Sequence, residues 1–159
     1  KLVGGPQAGI IVGEKQYIDK LKKHPLARAV RVDKTRIAGL AVTLMHYLKG
    51  EALIKIPVWR MISTPIEEIE KRAKTWVKVA GGLKTVNGET MVGGGSLPGG
   101  ALPTKLVVIP GGSKLAKVLR LKDIPIIGRV EKDNLILDPR TVLPEEDEAI
   151  IKALKEINK

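Results

Sequence analysis

A short uninterrupted apolar run, Ala8 to Val12, is the feature that most constrains the fold of this chain. An apolar run without alternation predicts a strand that is buried on both faces, as in a sheet covered by helices. Gly13 ends the run, and Glu14 to Lys23 follows with its apolar residues at helical spacing and its lysines opposite them. That pattern predicts an amphipathic helix, which Pro25 would end. A buried strand followed by a surface helix is typical of the α/β class.

Capping signals predict three more helices. Asp33 is suited to be the N-cap of a helix over residues 34–48. Thr64, with proline after it and glutamate three residues on, forms a capping-box pattern that predicts a helix ending at Ala80. A last helix is predicted over residues 144–157, because acids fill its first turn, where they complement the helix dipole.

Between residues 81 and 143 the pattern changes to short segments separated by glycine and proline. We predict a hairpin of 83–86 and 89–92 around Asn87-Gly88, a strand over Thr104–Ile109, a helix from a Ser113 cap to Leu121, and strands over 125–130 and 134–137 joined at Lys132-Asp133. The chain is therefore expected to consist of residues 1–50 and a separate mixed α/β unit, residues 51–159.

The composition limits the chemistry. The chain has no cysteine, so disulfides, thiolate zinc sites and cysteine nucleophiles are excluded, and we expect no metal site and a cytoplasmic location. A formal net charge of +11 would attract a polyanion such as tRNA, although abundant lysine and glutamate also suit a solvated surface. No apolar run approaches the ~20 residues that span a bilayer, so no membrane contact is expected.

The first thirteen residues, KLVGGPQAGIIVG, are similar to the cofactor-lysine segment of the bacterial selenocysteine synthase family. The resemblance implies that Lys1 is the catalytic lysine and holds pyridoxal 5'-phosphate covalently. An amine must lose its proton to attack an aldehyde, and burial near cations favours that loss. Glycines in the segment would let the backbone pass close to the cofactor.

A second segment, residues 24–34 with the sequence HPLARAVRVDK, resembles the same family's arginine-containing stretch. Arg28 and Arg31 are three residues apart, so one helical turn would place both on one face, where two guanidiniums suit a phosphate. The resemblance implies that both bind selenophosphate. We assign Asp33 to helix capping and His24 to a helix end, with no catalytic role.

Two further segments extend the resemblance. The glycine loop at residues 93–100 is similar to the family's Gly-Gly-Gly-Ser-Leu-Pro-Gly segment; it lacks the GKS/T ending of a P-loop, and its chemical role stays open. Residues 127–141 resemble the family's closing strands. Related aminotransferase-fold enzymes place a carboxylate-binding arginine there, which makes Arg129 a candidate substrate-binding residue. Arg140 is expected to pair with the neighbouring Asp138.

The family implies an aminotransferase-like fold (PLP fold type I). Residues 1–50 would be the end of the large, cofactor-binding domain with its long connecting helix, and residues 51–159 the C-terminal small α/β domain. The implied reaction converts seryl-tRNA(Sec) to selenocysteinyl-tRNA(Sec) with selenophosphate, through an aminoacrylyl-tRNA intermediate. The implied assembly is a ring of dimers, a decamer by family. We expect this chain to be a piece of the enzyme, beginning at the cofactor lysine and inactive alone.

Three alternatives remain open from the residues. One is a related pyridoxal-phosphate lyase acting on an amino-sugar phosphate, in which Arg28 and Arg31 would bind the sugar phosphate. A second is a non-enzymatic basic module that binds RNA, which predicts salt-sensitive binding; aromatic residues make up only 3% of the chain, which leaves few for base stacking. A third is an archaeal-type relative that keeps the fold without the tRNA activity.

Overall fold

The computed structural model describes residues 1–81, 83–93 and 99–157. It divides the chain into two compact units, Lys1–Ile56 and Pro57–Lys159. The first unit is helical, and every strand in the described ranges belongs to the second unit. None of the helices in these ranges has the length and hydropathy that crossing a bilayer requires.

The first unit consists of an extended N-terminal segment followed by helices. They are α1 (Lys15–Lys23), α2 (Leu26–Ala29), α3 (Lys34–Leu48) and α4 (Ala52–Lys55). The predicted helices over residues 14–23 and 34–48 are confirmed. Asp33 is the N-cap of α3, because its carboxylate accepts a 2.9 Å hydrogen bond from the backbone N–H of Arg36. That bond lowers the pKa of Asp33.

The predicted buried strand over Ala8–Val12 is wrong. The segment is extended, but it pairs with no other strand in the described residues, and Ile11 and Val12 are 71% and 89% exposed. A buried strand needs neighbouring strands to take its backbone hydrogen bonds, and the first unit offers none. The apolar run therefore remains an exposed feature of this unit.

The second unit combines helices with one antiparallel sheet. Its helices are α5 (Pro57–Ser63), α6 (Ile66–Ala80), α7 (Gly112–Arg120) and α8 (Asp147–Ile157), with 3₁₀ turns at Pro139–Thr141 and Pro144–Glu146. Its strands are β1 (Lys84–Met91), β2 (Ala101–Pro110), β3 (Arg129–Glu131) and β4 (Asn134–Leu137), in the order β1-β2-β4-β3. The structure is thus mixed α/β, as predicted, with an antiparallel sheet.

The predicted hairpin at Asn87-Gly88 is wrong. β1 runs without a turn through both residues and pairs along its whole length with β2, so that Gly88 lies opposite Thr104. A side chain at position 88 would overlap that of Leu106. Gly88 therefore leaves room for the Leu106 side chain, and the register with the apolar strand β2 overrides the local turn signal.

Two predicted caps are also wrong, whereas one predicted turn is confirmed. The hydroxyl of Thr64 donates to the Arg60 carbonyl at 2.6 Å and does not cap α6. Ser113 lies inside α7, whose N-cap is Gly111. Lys132 and Asp133 have φ values of 47° and 60° and join β3 to β4, as a type I′ hairpin turn requires.

The core of the second unit lies on one face of its sheet. Val107 and Ile109 of β2 lie opposite Leu137 and Leu135 of β4, so all four side chains point to the same face. Buried side chains from α6, α7 and α8 pack against them: Ala73, Trp76, Ala80, Leu119, Ile150, Ala153 and Leu154. Aliphatic side chains and one tryptophan thus form the core of a chain that has no phenylalanine.

Arg72 joins α6 to the segment that begins α8. Its guanidinium donates to both carboxylate oxygens of Asp147, at 2.8 and 2.6 Å, and to the carbonyls of Pro139 and Val142 at 2.8 and 2.9 Å. It also lies 5.8 Å from the centre of the Trp76 ring, at cation–π distance. A charge that is buried in this way is stabilised by satisfied hydrogen bonds, so Arg72 has a structural role.

The ion pair between Arg60 and Glu145 makes the stability of the second unit pH-dependent. Two hydrogen bonds of 2.7 and 2.8 Å from the Arg60 guanidinium lower the pKa of Glu145 from 4.5 to about 2. A carboxylate with a lowered pKa stabilises the folded state above its unfolded pKa and loses that effect as pH falls. We expect Glu145→Gln to be less stable than the wild type above pH 4.5, with the difference vanishing near pH 2 in urea unfolding. An equal difference at every pH would contradict this.

Candidate active site

The segment that carries Lys1 forms a tight turn. The backbone N–H of Gly4 donates to the Lys1 carbonyl at 3.0 Å, and Gly4 has a φ of 85°. A residue with a side chain is strained at that φ, which explains glycine at this position. The Lys1 side chain itself is exposed. The turn therefore presents a primary amine at the surface of the first unit.

The turn lies against one face of α3. The hydroxyl of Tyr47 donates to the Val3 carbonyl at 2.8 Å and lies 3.3 Å from the Leu2 carbonyl. A Cβ at Gly5 would lie 2.7 Å from the Thr43 hydroxyl oxygen. The segment from Leu2 to Gly5 is therefore held against α3, and its two contacts with Tyr47 join residues 44 and 45 positions apart in sequence.

Arg28 and Arg31 lie at the end of α2. Arg28 is in the last turn of the helix, whereas Arg31 follows the C-cap residue Val30, so the two are not on one continuous helix as predicted. The N–H of Arg31 still donates to the Arg28 carbonyl at 3.4 Å, which keeps their backbones in a turn. Both are exposed, and neither makes an ion pair in the described part of the chain. Both guanidiniums can therefore accept an anion.

His24 has the local role expected of it. Its Nδ1 accepts a 3.2 Å hydrogen bond from the backbone N–H of Leu26, at the junction of α1 and α2. This bond helps the chain to turn between the two helices, since it satisfies an N–H in the first turn of α2.

Arg129 belongs to the second unit, where it lies on β3 at the edge of the sheet. Its Nε is 2.6 Å from a carboxylate oxygen of Glu131, and the two side chains are 45% and 54% exposed. An ion pair at this exposure is weak, because water and salt compete with it. A substrate carboxylate could displace Glu131, but the guanidinium is not free in this structure.

The expected ion pair between the Arg140 and Asp138 side chains is wrong. The Arg140 guanidinium donates to the carbonyls of Met61, Thr64 and Pro103 at 3.1, 2.8 and 2.7 Å. The backbone N–H of Arg140 makes the contact with Asp138, at 3.0 Å. Burial lowers the pKa of Arg140, and the Asp138 carboxylate opposes that shift. Arg140 is therefore a buried crosslink between α5, β2 and the 3₁₀ turn.

The glycine loop is described only at its base. Gly94–Pro98 lie outside the described residues. The N–H of Val92 donates to the Gly100 carbonyl at 2.8 Å, and Gly93 and Gly99 have φ values of 63° and 78°. The base of the loop thus connects β1 to β2 by backbone that glycine adopts most readily.

Tyr47 is the site residue that the sequence did not reveal. Gly39, Thr43 and Tyr47 recur every four residues and therefore lie on one face of α3. Two small residues in line with a tyrosine could have indicated a face that another segment approaches closely. The partner segment could not have been identified, because it is distant in sequence.

The donor set suits the cofactor that the resemblance implies. A primary amine on an ordered glycine turn can bond to an aldehyde, and exposed guanidiniums can bind phosphate. Groups of three or more histidine or acidic side chains able to hold a metal are absent from the residues that the structure describes.

Comparison with known proteins gives consistent matches. A sequence model of the L-seryl-tRNA selenium transferase family matches residues 1–143. The L-seryl-tRNA(Sec) selenium transferase of Carboxydothermus hydrogenoformans is 44% identical over 92% of this chain and 34% of its own length. That of Clostridium perfringens is 45% identical over 99% of this chain and 36% of its own length, and that of Geobacter sulfurreducens 39% identical over 99% and 37%. The chain thus spans about a third of these curated relatives.

Proposed function

Since the chain belongs to the L-seryl-tRNA selenium transferase family, we propose that it is the C-terminal part of an enzyme that makes selenocysteinyl-tRNA(Sec) from seryl-tRNA(Sec) and selenophosphate. The proposal rests on one observation above all: a primary amine, Lys1, is presented on an ordered glycine turn. Within the proposal, residues 1–50 are the end of the cofactor-binding domain and residues 51–159 the small domain. The enzyme is cytoplasmic and assembles as a ring of dimers.

Lys1 has two roles in the proposed reaction. Its Nζ would hold pyridoxal phosphate covalently, and when it is not bonded to the cofactor the same Nζ could take the proton from the seryl α-carbon. The cofactor, when bound, draws electrons away from that carbon. The β-hydroxyl would leave as water with a proton from the protonated Nζ, and the β-carbon could then form a bond to selenium. The side chain of Lys1 is exposed, so its Nζ is accessible to both the cofactor and the seryl substrate.

Arg28 and Arg31 bind the phosphate of selenophosphate in this proposal. Each is exposed and has no ion-pair partner among the described residues, so neither must give up an internal bond to bind an anion. A guanidinium offers two parallel donors to phosphate oxygens, which orients the donor as well as attracting it. The same positive charge would stabilise the phosphate that leaves.

Arg129 is a weaker part of the proposal, as a residue that binds the seryl end of the substrate. Its ion pair with Glu131 would have to open first. The seryl carboxyl is esterified in a charged tRNA, so Arg129 would donate to an uncharged carbonyl rather than form a second ion pair. The exposure of the pair allows such an exchange, because solvent screening makes the existing ion pair weak.

Borohydride trapping tests the proposal. Full-length protein loaded with pyridoxal phosphate should, after reduction, carry the cofactor on the peptide that contains Lys1, because reduction makes a lysine–cofactor bond permanent. Lys15, an exposed lysine in the same unit, is the internal control and should stay unlabelled. A label on Lys15, or none on Lys1, would contradict the assignment of Lys1.

A turnover assay distinguishes the proposed function from the two alternative functions. Selenophosphate-dependent conversion of seryl-tRNA by the full-length protein distinguishes it from a lyase that acts on an amino-sugar phosphate. Salt-sensitive RNA binding by this chain without any lysine–cofactor bond would instead favour a basic RNA-binding module.

A further inference from the structure

We propose that Tyr47 is a positioning residue for Lys1, whose turn its hydroxyl holds against α3. This inference rests on the proposed function, because it assigns Tyr47 to the lysine that holds the cofactor. The inference adds Tyr47 to the candidate site, and Tyr47 lies on α3 rather than in the glycine segment that contains Lys1. Tyr47 touches the backbone beside the lysine and would act on the chemistry only through it.

The hydrogen bonds of Tyr47 are placed where they restrict the turn most. The turn runs from the Lys1 carbonyl to the Gly4 N–H, which are 3.0 Å apart. Tyr47 reaches the two carbonyls inside it, Val3 at 2.8 Å and Leu2 at 3.3 Å. One hydroxyl therefore orients the Leu2–Val3 and Val3–Gly4 peptide planes, and the first of these shares the Cα of Leu2 with the Lys1–Leu2 peptide plane.

The packing beneath the turn supports the same role. A Cβ on Gly5 would lie 2.7 Å from the Thr43 hydroxyl oxygen, and a Cβ on Gly39 would lie 2.7 Å from Cγ of Pro6. The Thr43 hydroxyl is itself held by a 2.8 Å bond to the Gly39 carbonyl. α3 thus offers a face of small residues that fits the glycine-proline segment closely, with the Tyr47 hydroxyl at its end.

The position of the lysine depends on this backbone contact. The Lys1 side chain is exposed in the first unit, and its amine makes no hydrogen bond or ion pair within the described ranges. The direction of the side chain is therefore set where it leaves the backbone. If the turn is free to rotate, the amine samples more positions, and the share of time in a reactive geometry falls.

The test uses full-length protein loaded with pyridoxal phosphate and the variant Tyr47→Phe, which removes only the hydroxyl. We expect kcat to fall about fivefold, equivalent to about 1 kcal/mol at 1.36 kcal/mol per tenfold, with KM unchanged. The pH midpoint of the visible absorbance band of the lysine–cofactor bond should also move. Tyr17→Phe is the matched control: Tyr17 is the other tyrosine of the chain, is 58% exposed on α1, and should change neither quantity.

A second variant guards against simple misfolding. Gly39→Ala favours the helix but pushes on Pro6, so it should displace the segment and shift the midpoint in the same direction. An unchanged midpoint and kcat in Tyr47→Phe would overturn the proposal, as would a loss of thermal stability without a shifted midpoint. Failure of the proposed function is a different result: the band would then persist when Lys1 is replaced, whatever Tyr47 does.

Discussion

Replacing Lys1 by alanine in the full-length enzyme should lower the rate of selenocysteinyl-tRNA formation by at least about a thousandfold. A positioned acid or base alone contributes roughly 10²–10⁴ in rate, and the variant also loses covalent attachment of the cofactor. Lys1→Arg should be equally inactive, because a guanidinium keeps its proton and cannot attack the aldehyde. The measurement is single-turnover conversion of seryl-tRNA with selenophosphate.

The control for this prediction is Lys15→Ala, which removes another exposed lysine of the same unit and should leave the rate near that of the wild type. Urea unfolding without cofactor should give the same stability for the wild type and the three variants, because the Lys1 amine makes no hydrogen bond or ion pair among the residues described. A rate within tenfold of the wild type in Lys1→Ala would remove Lys1 from the chemistry. Partial rescue by a small added amine would instead support its role as the base.

Replacing Arg140 by alanine should destabilise the second unit by about 3–5 kcal/mol, because each buried group left without its partner costs about 1–3 kcal/mol. The carbonyls of Met61, Thr64 and Pro103 would each lose a charged donor, and each buried acceptor left without a partner costs free energy. Arg140 is 4% exposed, so water could not easily replace the guanidinium.

Urea unfolding followed by tryptophan fluorescence measures this effect, because both tryptophans, Trp59 and Trp76, belong to the second unit. Arg120→Ala is the matched control, since Arg120 is exposed at the end of α7 and has no ion pair in the described residues. Arg140→Lys should fall between the two, because one ammonium cannot reach all three carbonyls. A difference of less than about 1 kcal/mol between Arg140→Ala and Arg120→Ala would show that the crosslink is not stabilising.

Helices were the most predictable part of the structure. Those beginning near Lys15, Lys34 and Ile66 were predicted at or within one residue of their observed ends. Their signals are local: apolar residues recur every three or four positions, and caps such as Asp33 act on an N–H three residues away. The last helix begins as a 3₁₀ turn at Pro144–Glu146 and continues as α8, so only its first turn differs from the prediction.

Strands and side-chain partners were less predictable. Asn87-Gly88 has the composition of a hairpin turn, but β1 pairs along its whole length with β2, which begins at Ala101. The Ala8–Val12 run has the composition of a buried strand, but no described strand lies beside it. In both cases the outcome depends on a partner that the local sequence does not contain.

The candidate site also has features that the sequence indicated and features that only the structure showed. The sequence by itself indicated the candidate side chains, a lysine before a glycine turn and two arginines three residues apart, because reactivity depends on residue type and short spacing. Only the tertiary structure decided that Tyr47 holds the lysine turn and that Arg140 binds carbonyls rather than Asp138. Those contacts join residues that are tens of positions apart. A local sequence pattern predicts the structure of one helix, strand or turn, but not which distant residue that element will contact.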